Sequence, residues 1–97
     1  MKTLDELKEF VVEMTGREDI IVFDNPSYVT AVVGISHDDR VIYSFEKMVE
    51  YLMETDKMEY EEAIEFIEYN TLRAMPYYPD GPIVLMDEEQ TKFFYED

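Results

Sequence analysis

Leu4, Leu7, Phe10, Val11 and Met14 recur at the spacing that lines one face of an α-helix. Thr3 and Glu6 form a capping box at its start, the Thr hydroxyl accepting from the Glu6 amide and the carboxylate reaching back. Gly16 supplies a left-handed stop. The pattern then changes. Ile20-Ile21-Val22-Phe23 is an unbroken apolar run rich in β-branched residues, which reads as a short strand covered on both sides. Asp24-Asn25-Pro26-Ser27 is a turn cluster. Val29, Ala31, Val33 and Ile35 alternate with Tyr28, Thr30, Val32 and Gly34, and this period of two predicts a second strand. Ser36-His37-Asp38-Asp39 turns that strand back onto a third, Arg40-Val41-Ile42-Tyr43.

The helical period returns after Ser44, a natural N-cap, with Phe45, Met48, Val49 and Leu52 on one face as far as about Met53. Thr55-Asp56-Lys57 interrupts it. A third helix follows from about Tyr60, with Tyr60, Ala63, Ile64 and Ile67 facing inward. If that helix ran on, Leu72 would land on its acidic side, so it ends near Asn70 or Leu72 meets another element. Asn is the non-glycine residue that best tolerates a left-handed stop, which makes Asn70 the expected C-cap. Met75 precedes Pro76 and is expected to be extended. Pro79-Asp80-Gly81-Pro82 is a turn, and Ile83-Val84-Leu85-Met86 reads as a last strand. Residues 87–97 form a tail that mixes acids with Phe93-Phe94-Tyr95, an apolar cluster expected to dock on the body or on a partner. The order αβββααβ defines a single α+β domain over residues 1–97. Its three strands form an antiparallel meander, and the helices pack on one face of the sheet.

Charge changes this picture more than composition does. A hydrophobic content of 46% is enough for one core and argues against wholesale disorder. The chain has no cysteine, which excludes disulfides and thiolate metal sites and suits a reducing cytoplasm. Near the N-terminus Phe10-Val11-Val12 is the longest apolar run, too short for a signal core or a membrane span. Twenty-four acids against eight bases give a formal charge of −16. Direct binding to nucleic acid or anionic lipid is disfavoured, because phosphates require Lys and Arg. A basic protein partner is favoured.

Catalytic chemistry finds little footing. His37, the single histidine, sits in the hairpin turn beside Asp38 and Asp39. No thiol, glycine-rich phosphate loop or histidine pair is present, and no cofactor is implied. Ser27, Ser36 and Ser44 are accounted for by turns and capping. The acidic faces are more informative. Glu46, Glu50 and Glu54 recur every fourth residue along the second helix, and Glu61, Glu65 and Glu68 occupy one face of the third. Carboxylates at that spacing stand roughly 5–6 Å apart along each axis, close to the phosphate spacing of a nucleic-acid strand. Arg73 is the only base between Lys57 and Lys92 and is expected to pair with a carboxylate or helix-end carbonyls. Tyr69, Asn70 and Arg73 form the alternative, a small polar site.

The block "EEAIEFIEYNTLRAMPYY", preceded by "VIYSFEKMVEYLMETDKM", resembles short proteins of bacterial, mainly Firmicutes, genomes and their phages or prophages. These share an E-F-I-[DE]-Y-N-T-[IL]-R-A-[LM]-P-Y segment after a V-I-Y strand and an acidic helix. The likeness covers residues 40–86, with one departure, Glu59 where such proteins tend to carry Thr. It implies a mobile-element origin and transfers no catalytic residue. The resulting expectation is a non-enzymatic, cytoplasmic, acidic binding protein. It would act as a DNA mimic, occupying the nucleic-acid groove of a basic host protein such as a CRISPR or restriction nuclease. The alternative is an oligomeric structural or assembly module whose charge serves solubility.

Overall fold

A computed structural model describes residues 1–95, with side chains through Lys92. Its elements run α1 (Leu4–Thr15), a 3-10 helix (Pro26–Ala31), β1 (Val32–Ile35), β2 (Val41–Ser44), α2 (Phe45–Thr55), α3 (Tyr60–Asn70), a second 3-10 helix (Leu72–Tyr77), β3 (Ile83–Leu85) and α4 (Glu88–Tyr95). The α+β class holds.

The caps form where expected. The Glu6 amide donates to Thr3 Oγ1 at 3.1 Å, and Gly16 closes α1 at φ 72°. Met14, at the end of the helical stripe, is 57% exposed, so the buried face of α1 narrows to Leu7 and Val11. The Ser44 hydroxyl accepts from the Lys47 amide and starts α2 directly from the last residue of β2. After α2 the chain turns at Lys57, φ 58°, with the Asp56 and Met58 amides both donating to the Leu52 carbonyl. On α3 the Glu62 carboxylate accepts from the Glu59 amide. Tyr60, expected to face inward, is 51% exposed, and Ala63, Ile64 and Ile67 form the buried face.

The sheet differs from the expected antiparallel meander. β2 is central in a three-stranded mixed sheet, antiparallel to β1 and parallel to β3. Ile20–Phe23 is not a strand. The Phe23 amide donates to the Tyr43 hydroxyl at 3.1 Å, and the Phe23 ring stacks 4.5 Å from the Tyr43 ring. A side chain thus takes the place of a ladder partner. The predicted second strand is also shorter. Asn25 Oδ1 accepts from the Ser27 amide and Pro26 stands at the first helical position, so residues 26–31 wind into a 3-10 helix. That helix buries Tyr28, Val29 and Ala31. Only Val32–Ile35 is extended, and the register slips between Val32 and Gly34. This bulge leaves Val33 47% exposed and breaks the period of two. The Ser36–Asp39 hairpin forms, with Asp39 at φ 63°.

The third strand of the sheet is the C-terminal segment Ile83–Leu85, reached by a crossover through α2 and α3. A parallel pair requires such a crossover. Arg40 Nε donates to the Gly81 carbonyl at 2.8 Å and ties the hairpin to the turn ahead of β3. Val41 and Tyr43 of β2 share one core with Leu7 of α1, Met48 and Leu52 of α2, and Ile67 of α3. The tail begins with a capping pair, in which Asp87 accepts from the Gln90 amide and Gln90 from the Asp87 amide, and α4 follows. The docking expected of the Phe93, Phe94 and Tyr95 side chains lies outside the described residues.

Candidate functional site

Glu46, Glu50 and Glu54 project from α2 and Glu61, Glu65 and Glu68 from α3, and all six are exposed. The two helices are consecutive and packed together. Their apolar faces turn inward through Phe45, Met48, Val49 and Leu52 on one and Ala63, Ile64 and Ile67 on the other. The position arithmetic of the sequence therefore places the acids correctly. Ion pairs among the described residues involve only Arg17, with Asp19 and Asp39, and Lys92, with Glu88. The six glutamates take part in none of them.

The six do not converge on one groove. Glu46 and Glu50 border a depression of about 360 Å³ floored by Phe45, Val49 and Ile64. Met53 and Tyr60 open onto it, and Asp87 and Glu89 at the start of α4 close its rim. Sequence reasoning missed those last two carboxylates, although the Asp87-x-x-Gln90 cap that positions them is a readable helix start. Glu65 and Glu68 border a second, shallower depression together with Tyr69, Asn70 and Arg73.

That second region corrects the expectations for the bend. Asn70 is not a left-handed cap. It is the last residue of α3 and its side-chain amide donates to the Phe66 carbonyl at 3.0 Å, while Thr71 follows at φ −118°. Met75 is not extended either, since residues 72–77 continue as a 3-10 helix with Pro76 inside it. In that tighter helix the Tyr78 amide reaches the Met75 carbonyl. Leu72 packs against the core, which is why the chain bends there. Arg73 forms no ion pair with a described carboxylate; its guanidinium stacks 5.0 Å over the Tyr69 ring. Tyr69, Tyr77 and Tyr78 are 69%, 83% and 56% exposed.

His37 is exposed in the hairpin turn. Next to it Asp38 accepts from the Ser36 hydroxyl, a bond that holds its carboxyl below the usual range. Among the described residues no group of three or more His, Asp or Glu side chains is placed to hold a metal ion. No described helix is long and apolar enough to cross a membrane. Compared with protein-family models, curated proteins and solved structures, the chain finds no significant match in any of the three.

Proposed function

We propose that this chain is a non-enzymatic, cytoplasmic binding protein of phage or prophage type. Its acidic helices occupy the nucleic-acid groove of a basic host protein, a CRISPR or restriction nuclease being the sharpest version. One observation supports the reading above others. Six exposed carboxylates stand on two packed helices, and none is neutralised by a base among the described residues. Like charges one helical turn apart disfavour each helix slightly, so the arrangement gains only when an outside cation meets it. A groove lined by Lys and Arg would be steered toward it and would form charge-assisted bonds on docking.

Charge reversal tests this. Glu61, Glu65 and Glu68 lie opposite the buried face of α3, so changing all three to Lys leaves the core intact. Association with a basic nucleic-acid-binding partner should be abolished, because each charge-assisted contact contributes about 1.5–3 kcal/mol. Reversal of Asp5, Glu9 and Glu13, exposed on α1, changes the net charge equally and should do much less. Equal losses would reduce the interaction to bulk attraction, and no loss from either would reject mimicry.

A second reading, an oligomeric assembly module, draws on the exposed Tyr69, Tyr77 and Tyr78 at the bend. Tyr is enriched at interface hot spots. Salt separates the two readings: groove occupancy weakens steeply with ionic strength, whereas a tyrosine-lined contact hardly responds.

A further inference from the structure

The segment misread as a strand forms one wall of a cleft. Residues 21–25 face the end of α3 and the bend across a cavity of about 460 Å³, within the range of small-molecule sites. Ile21, Phe23, Phe66, Met75, Tyr78 and Pro82 supply apolar and aromatic surface. Tyr28 also belongs to the lining; it is 2% exposed, and its hydroxyl has no hydrogen-bond partner among the described residues. Burial raises this phenol above its ordinary range; Thr71 and Asn25 oppose the shift and Asp56 adds to it. The hydroxyl therefore stays protonated at neutral pH. The Thr71 and Asn25 side chains on the lining approach it closely enough to lower its pKa as hydrogen-bonding groups do, but neither meets the distance and angle of a full hydrogen bond. Buried hydroxyls are almost always paired, so this one is an exception to be explained.

We propose that the cleft binds a small aromatic molecule, neutral or cationic, that supplies the missing hydrogen bond to Tyr28 Oη. The rings of Phe23, Phe66 and Tyr78 suit edge-to-face packing against a planar guest. Among the described residues Asp24 is the only charged one on the lining. With no described Lys, Arg or His there, a buried carboxylate or phosphate would lack a counter-charge, which disfavours anionic ligands. The hydroxyl is shielded from solvent in the free chain, so a guest reaches it only when part of the lining moves. This site is independent of the acidic faces.

Amide-resolved NMR titrations of the full chain provide the test, with indole, tryptamine, indole-3-acetate and benzothiophene as probes. Indole and tryptamine should give saturable shifts at Phe23, Thr71 and Met75, and indole-3-acetate at least about tenfold weaker binding. Tyr28→Phe strands no partner, so its melting temperature should match or exceed that of the parent chain. It should weaken indole about two- to tenfold, the worth of one neutral hydrogen bond, and leave benzothiophene, which has no N–H, unchanged. Ala74→Leu, which fills the cleft, should abolish binding of all the probes. The proposal is overturned by absence of saturable shifts, by equal losses of indole and benzothiophene in Tyr28→Phe, or by marked destabilisation of that variant.

Discussion

Tyr43→Phe isolates the contact that anchors the irregular segment at residues 20–25. The ring is fully buried and stacks on Phe23, so the substitution retains its packing and deletes only the hydroxyl. The Phe23 amide, whose hydrogen bond to that hydroxyl is part-buried, is then left without an acceptor. A stranded buried donor costs about 1–3 kcal/mol, and partial access to water places this one near about 1–1.5 kcal/mol. For a domain of this size the melting temperature should fall by roughly 5–10 °C.

The same hydroxyl carries an alkaline signature. Burial raises its pKa from 10.0 to about 12, with the Phe23 amide opposing the shift and Asp24 adding to it. The folded state keeps a proton that the unfolded chain releases near pH 10. The associated stability is fully present below pH 10 and is lost as pH rises toward 12. By pH 11 the parent chain should lose about 1.4 kcal/mol from this group alone, and the Phe variant should not. Urea unfolding followed by circular dichroism at pH 7 and pH 11 measures both effects, and hydrogen exchange at the Phe23 amide locates the loosening. A variant with unchanged midpoint and an unchanged alkaline loss would refute the anchoring role.

Three further outcomes are expected. Arg73→Ala should lower stability by no more than about 1 kcal/mol, because the contact it loses among the described residues is an exposed cation–π stack; a larger fall in a urea titration would reveal a carboxylate partner. Gly81→Ala should cost about 1–3 kcal/mol, since a Cβ there would lie 2.9 Å from the Tyr78 carbonyl oxygen, and an unchanged melting temperature would contradict the tightness of that turn. Added sodium chloride should raise the melting temperature by screening a formal charge of −16, and a fall between low and moderate salt would reject self-repulsion as the dominant electrostatic effect.

Local signals in the sequence carried α1, α2 and α3, whereas the residues of α4 read as a tail. Thr3 with Glu6, Gly16 and Ser44 are caps that depend on neighbours a few residues away, and each appears where its chemistry places it. The exposed glutamates were legible for the same reason, since a helical period fixes which side chains share a face. Pairing across the chain was not legible. Ile20–Phe23 has strand composition, but its partner is a tyrosine hydroxyl 20 residues away. Residues 28–31 keep a period of two, yet the Asn25 cap and Pro26 wind them into a 3-10 helix. The parallel register of Ile42 with Ile83 leaves no short-range trace. The cleft around Tyr28 is lined by residues of the first two segments and by Gly81 and Pro82 just ahead of β3, so no local pattern announces it.

The crossover to β3 also sets the order in which the molecule assembles. β1 and β2 meet across a tight turn, whereas Arg40 and Gly81, which tie the hairpin to the approach to β3, are 41 residues apart. Closing a loop of that length rather than a hairpin adds about 2 kcal/mol of chain entropy before any contact offsets it. On loop entropy alone, the hairpin is expected to form before β3 joins it. Short, half-exposed segments such as β3 are among those that open locally at low cost. Gly81 and Pro82, which help line the cleft, stand at the entrance to β3. Because Gly81 and Pro82 lie on that lining, a cleft ligand is expected to slow exchange of the β3 amides more than those of the hairpin.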